Sequence, residues 1–270
     1  MHIIQVSKSV ALSKSNFRNM FRLALITGVF IVCFTSCKKG GISGVEVEPV
    51  PNTKQISLSD SIYFEVDGKV YTANSVFSMG IGNSGANMRF LDAPVAGRKN
   101  WGTLGGKSYY ASVDSIYLSY GKSFSGPNDY GNLHISFGKG FQVKDLNYIG
   151  AMWYAKDIRN MLDKGKQEFA IDYQSTNSID GVSFVVDRLG RTGRPEFSFD
   201  DSSDSSLQDD AHFEITEKEQ VDKDRYRISA RFEMNLYDDK GKKYRATKGF
   251  LRLNVFRFFW QTDLFSGSAR

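Results

Sequence analysis

The most regular pattern in the chain runs from residue 226 to residue 236. Tyr226, Ile228, Ala230, Phe232, Met234 and Leu236 are apolar, and Arg227, Ser229, Arg231, Glu233 and Asn235 between them are polar. Alternation with a period of two places every apolar side chain on one face of an extended segment. The stretch therefore predicts a long antiparallel strand with one face in the core and one in water. Residues 238–241 supply a turn, segment 243–247 starts back, and Leu251, Leu253 and Val255 share one face of a last strand. Near the other end, residues 62–73 read IYFEVDGKVYTA. Asp67-Gly68 suits a two-residue hairpin turn whose central positions both need positive φ. Such a turn sets Val66 opposite Lys69 and Phe64 opposite Tyr71. One face then carries Ile62, Phe64, Val66, Tyr71 and Ala73 towards the core.

Weaker patterns fill the space between. Segments 88–91, 109–120, 133–137, 169–173 and 182–188 read as strands from their aromatic and β-branched content. Residues 76–106 and 121–131 are rich in Gly and Asn and read as largely irregular. Ile158, Met161 and Leu162 fall at i, i+3 and i+4, so residues 157–162 predict one short helix, with Gly165 as its stop. Residues 200–210 hold five aspartates and four serines and read as a solvated loop. Residues 61–270 together predict one all-β domain, an antiparallel β-sandwich or barrel-like fold with one short helix.

The longest apolar run obeys neither period. Residues 23–34 are almost wholly apolar, and residues 1–36 contain Lys8, Lys14, Arg18 and Arg22 with no acidic residue. A basic start, an apolar stretch of about 12 residues and the small pair Thr35-Ser36 describe a secretory signal. Crossing a bilayer as a helix takes about 20 apolar residues, so a spanning helix is the poorer account. A start at Met20 would give a compact signal of the usual proportions. The tetrapeptide Phe34-Thr35-Ser36-Cys37 resembles the bacterial lipobox, although Phe34 stands where leucine is commonest. That resemblance makes residues 1–36 the signal peptide, Cys37 the lipidated first residue of the mature chain, and 37–60 a flexible tether. Stable anchoring takes more than one acyl chain, and a lipobox cysteine carries two or three. The plainer account is a signal peptide that ends beside an ordinary cysteine.

Charge and cysteine content narrow the field. The chain has 35 basic and 30 acidic residues, and removal of the four basic residues of the signal leaves 31 against 30. That near-balance gives no electrostatic argument for nucleic acid. Of the 2 cysteines, Cys33 leaves with the signal and Cys37 is taken by lipid. No thiol then remains for a disulfide, a metal or nucleophilic chemistry.

The order of these segments resembles uncharacterised envelope lipoproteins of the Bacteroidota. The shared features are the lipobox, a hairpin of the type F-x-V-D-G-K-x-Y-x-A (residues 64–73), a short helix before a Gly and a strand (158–169), and a closing hairpin over 228–242. The resemblance implies an outer-membrane lipoprotein but carries over no catalytic or binding residue. In that group, acidic residues after the cysteine resemble a surface-export signal. Lys38-Lys39 stand there instead, which implies the periplasmic leaflet rather than the cell surface.

Candidate chemistry is sparse. No nucleophile motif, phosphate loop or dinucleotide fingerprint is present, and His134 and His212 have no partner at metal-ligand spacing. His134 lies in a strand and is expected to be an ordinary hydrogen-bonded histidine. Asp200, Asp201 and Asp204 are weak candidates for Ca²⁺, since the loop lacks the glycine-containing order of a defined calcium site. Trp101, Trp153, Tyr109 and Tyr110 sit in or beside loops, where flat rings can stack on a sugar or another apolar ligand, or can simply fill the core. The run from Phe256 to Trp260 has aromatic residues on both strand faces and suits a buried strand or an envelope protein partner. The expected function is a lipid-anchored, non-enzymatic domain that binds a ligand or partner. The alternative is a glycan-active enzyme, whose acid and base carboxylates come from distant strands and leave no local motif.

Overall fold

The computed structural model describes residues 59–126, 131–156, 161–194, 205–222 and 225–256. All of them belong to one compact unit, Ile56–Arg270. Sixteen strands carry it: β1 (Ser61–Val66), β2 (Lys69–Ala73), β3 (Val76–Gly85), β4 (Arg89–Phe90), β5 (Arg98–Leu104), β6 (Lys107–Ser112), β7 (Ser115–Phe124) and β8 (Leu133–Gln142), then β9 (Leu146–Ile149), β10 (Met152–Ala155), β11 (Gly165–Gln167), β12 (Gly181–Val186), β13 (Gly190–Arg191), β14 (His212–Gln220), β15 (Arg225–Tyr237) and β16 (Lys243–Phe256). The fold is all-β, with no helix of seven residues or more among the described residues.

Eleven strands form one curled antiparallel sheet. Its main path is β2-β1-β16-β15-β13-β12-β8-β7-β3, with β14 and β11 branching from β15. The two ends of that path are one piece of chain. β2 pairs with β1, and after Asn74-Ser75 the chain continues as β3, which pairs with β7. The sheet thus closes in a barrel-like manner through a bent segment that belongs to both borders. The Ser125 amide donates to the Ser75 carbonyl at 2.9 Å and extends the pairing into the bend.

A single core fills the curl, because each strand presents alternate apolar residues inward. Ile228, Ala230, Phe232, Met234 and Leu236 of β15 are all buried, as the alternation requires. An aromatic chain crosses the interior. Tyr71 stacks on Phe64 with centroids 4.6 Å apart, Phe64 lies 6.2 Å from Phe232, Phe232 5.1 Å from Phe184, and Phe213 5.9 Å from Phe137. Each such pair contributes about 0.5–1.5 kcal/mol beyond the area it buries.

A lysine enters this interior. Lys122 on β7 shares a face with Tyr120 and Phe124 and is 3% exposed, yet it is paired. Its Nζ donates to Asp60 Oδ2 and to the Asn254 carbonyl of β16, both at 2.5 Å. Asp60 Oδ1 accepts in turn from the Asn254 backbone amide at 2.6 Å and from its side chain at 2.9 Å. The cluster ties β7 to β16 and to the start of β1, across the closed side of the sheet.

The hairpin from β1 to β2 has the register its turn dictates: Ile62 opposite Ala73, Phe64 opposite Tyr71, Val66 opposite Lys69. Asp67 and Gly68 sit at φ 49° and 73°. Elsewhere the structure corrects the pattern. Segment 76–106 is not largely irregular: besides the expected short strand at 88–91, which is β4, it supplies β3 and β5. The expected strand 109–120 is two strands in different sheets, separated by a turn at Val113-Asp114, and β7 runs on to Phe124. Segment 169–173 is a turn after one isolated bridge, Phe169 to Val182. Segment 243–247 and the expected last strand 250–258, as far as Phe256, are one strand, β16, with Lys248 at φ 54°; residues 257–258 lie outside the described set. Of the expected helix 157–162, residues 157–160 lie outside the described set, and Met161 and Leu162 are buried in the core. The expected signal segment 1–36, Cys37 and the expected tether up to residue 58 lie outside it too.

Candidate functional site

Beside the curled sheet stands a three-stranded sheet in the order β4-β6-β5. Its register slips between Asn100 and Gly102: Asn100 faces Tyr110 and Gly102 faces Tyr109. Trp101 is the residue left over. A bulge of this kind breaks the alternation and re-aims the extra side chain, and bulges are common next to functional sites. Gly85 at the end of β3 makes room for the ring, since a Cβ there would lie 2.5 Å from Ala111 Cβ and 3.2 Å from Trp101 Cδ2.

The opposite wall is a turn that Asp172 organises. Its buried carboxylate accepts from Thr176 Oγ1 at 2.6 Å, from the Ser178 amide at 2.6 Å and Oγ at 2.7 Å, and from the Ile179 amide at 3.3 Å. Within this turn Gln174 and Asn177 hold positive φ, 61° and 49°. Non-glycine residues in that region cost about 1–3 kcal/mol each and are concentrated at binding and catalytic sites. Asn177 is buried. Its Oδ1 accepts from the Gln174 amide at 2.9 Å, and its Nδ2 donates to Ser84 Oγ at 3.1 Å and to the Gly85 carbonyl at 3.3 Å. The Met88 amide donates to the Thr176 carbonyl at 2.6 Å. The turn is thereby fastened to the end of β3 and to the approach to β4.

Between these walls lies a cleft of about 280 Å³. Met88, Trp101, Leu104 and Tyr109 provide its apolar surface, and Gln174, Asn177, Thr103 and Ser84 its polar one. Trp101 is 37% exposed and Leu104 47%, an open apolar surface contributed by one strand. Among the described residues no carboxylate lines the cleft. The arrangement can hold a flat molecule with one apolar face and hydrogen-bonding groups on its edge.

Of the four aromatic residues singled out in the sequence, Trp101 and Tyr109 meet in this cleft. Tyr110, the next residue on β6, points the other way and is buried, and its carbonyl accepts from Arg98 Nη1 at 3.3 Å. Trp153 lies on β10. Its ring stands 4.8 Å from that of Tyr148 and packs against the core. Asn83 clamps its backbone, accepting from the Trp153 amide at 2.5 Å and donating to its carbonyl at 2.9 Å. The polar contributors Gln174 and Asn177 were not foreseen. A tolerance of Asn for positive φ is the one signal the sequence held, and it marks a turn rather than a site.

A second cleft, about 420 Å³, opens where β11 and β14 branch away from the main sheet. Glu168 and Asp209 both line it, with Lys166 and the exposed His212. His134 is elsewhere, on the face of β8 away from the core, with Nδ1 2.9 Å from Ser123 Oγ and Nε2 2.8 Å from Ser136 Oγ. It is hydrogen-bonded, as expected for a structural histidine. Asp200, Asp201 and Asp204 lie outside the described residues, as do residues 257–260. Among the described residues no group of three or more His, Cys, Asp or Glu side chains is placed to hold a metal ion. The last acidic residue of that loop, Asp210, is fixed by Asn235 Nδ2 at 2.6 Å and flanked by Lys243 and Arg245. No protein-family model, curated protein or solved structure matches this chain.

Proposed function

We propose that this chain is a lipid-anchored protein of the bacterial outer membrane, facing the periplasm, whose barrel-like domain binds a ligand in the Trp101 cleft without transforming it. The observation that carries the reading is the bulge at Trp101. It turns an indole out of the strand alternation into a cleft that also holds Tyr109 and an open apolar rim. A core-filling role would bury that ring instead. The anchor rests on the lipobox-like residues ending at Cys37, and the envelope location on Lys38-Lys39 and the family resemblance.

The test is a ligand screen read by tryptophan fluorescence, on the native chain and on Trp101→Ala. A ligand that quenches the native protein should lose at least about tenfold in affinity in the variant, ~1.4 kcal/mol, with an unchanged circular dichroism spectrum. Affinity that survives loss of the indole would move the site elsewhere. The mass of the N-terminal peptide of the mature protein, with or without acyl chains on Cys37, decides the anchor.

The second cleft favours a different reading, a glycan-active enzyme, because Glu168 and Asp209 share it. Glycoside hydrolysis uses two carboxylates about 5–9.5 Å apart. Glycan turnover by the native chain that vanishes in both Glu168→Gln and Asp209→Asn would establish it.

A further inference from the structure

The rim of the Trp101 cleft is cationic. Lys99 Nζ stands 5.2 Å above the Trp101 ring. Lys107 Nζ stands 5.1 Å above Phe90, whose ring meets that of Tyr109 at 6.2 Å. Each ammonium is thus held over an aromatic face next to the cleft, by the attraction between a cation and the ring's negative face. Neither makes an ion pair with a carboxylate among the described residues, whereas Lys122, Lys218, Lys243 and Lys248 each do. The nearby Arg98 is committed to backbone carbonyls, donating to Asn87 at 2.6 Å and Tyr110 at 3.3 Å. Among the described residues, two cations without a carboxylate partner therefore border a pocket with no acid in its lining. A neutral ligand would leave both charges unanswered, and a cationic one would be repelled.

We infer that the ligand is an acidic saccharide, a sugar whose ring carries a carboxylate. This rests on the binding reading of the same cleft. A pyranose has one apolar face of C–H groups to lie on Trp101, and its hydroxyls suit the amide of Gln174 and the hydroxyl of Thr103. Its carboxylate then reaches Lys99 or Lys107 at the rim. Gln174 is exposed, and its backbone is set at positive φ by Asn177, which presents the residue at the cleft mouth. Two rim cations also steer an anion into the cleft, an effect that added salt screens.

The experiment titrates the purified chain with a short oligogalacturonide and with its methyl ester, which keeps the sugar and removes the charge. The acid is expected to bind about tenfold tighter than the ester at low salt, the sum of two exposed charge pairs. That preference should fall towards unity at high salt and in the Lys99→Gln, Lys107→Gln double variant. Equal binding of acid and ester would overturn the anionic ligand and leave the cleft as a site. A preference that persists without the two lysines would overturn their role. Binding by neither oligomer would overturn the acidic-saccharide class. Binding of both that ignores Trp101→Ala would sink the cleft itself.

Discussion

Burial against β7 holds the His134 imidazole below its ordinary 6.5, since a charged ring loses more than a neutral one when water is removed. The consequence for stability has a definite sign. The unfolded chain takes up the proton first as pH falls through about 6.5, so the native state is favoured above that value and loses ground below it. The loss ends once pH passes the lowered native value. Urea midpoints of the native chain should therefore drop between about pH 7 and pH 5 by more than those of His134→Gln. Parallel curves would mean that the ring titrates freely. Tyr71 works in the opposite range. Burial, with Asp187 second, pushes its phenol up to about 12, so its neutral form supports the fold up to pH 10 and the support is lost as pH climbs towards 12.

At the scale of elements, the Asp60–Lys122–Asn254 cluster closes one side of the curled sheet. Removing one partner of a buried pair leaves the other charge stranded, which typically costs about 3–5 kcal/mol. Lys122→Met should lower the unfolding midpoint accordingly, because Asp60 is left facing the Asn254 donors and apolar side chains. The double change Asp60→Asn with Lys122→Met should recover part of that loss. A single variant as stable as the native chain would show that the pair does not brace the closure. Elements specified by neighbours in the chain could be read in advance. The Asp67-Gly68 turn sets its own register, and the alternation of β15 needs no partner to declare its buried face. β3 escaped notice because four of its ten residues are Gly or Asn, an irregular composition on a propensity scale. Its glycines answer to contacts instead: a Cβ at Gly82 would lie 2.6 Å from Ser119 Oγ. Asn83 likewise serves the Trp153 backbone, a partner 70 residues away. Residues 169–173 looked strand-like because their apolar content is real, but Asp172 gathers four hydrogen bonds and folds them into a turn.

For the whole molecule, the pairings that define the fold are remote. β1 lies against β16, with Ser61 opposite Arg252, and nothing local announces that neighbour. The candidate site has the same origin. Trp101 and Tyr109 could be named from their type and from the turns around them, but the wall that completes their cleft comes from residues 174–177. Whether an aromatic residue lines a cleft or fills the core depends on register. The slip at Trp101 separates its fate from that of Tyr110, and a one-residue bulge is invisible in a periodic pattern.

The bent segment shared by β2 and β3 turns one peptide bond into a hasp. Asn74 and Ser75 are exposed, so a protease can reach the bond between them. A single nick there would release two raw ribbons, each with unspent amides and carbonyls, and the cylinder could spring into a strip. Strips from separate copies would stitch together by exchange, and nicked protein should elute as oligomers while the uncut chain stays discrete. Nicked chains that keep the size and spectrum of the intact protein would show that the interior alone holds the cylinder shut.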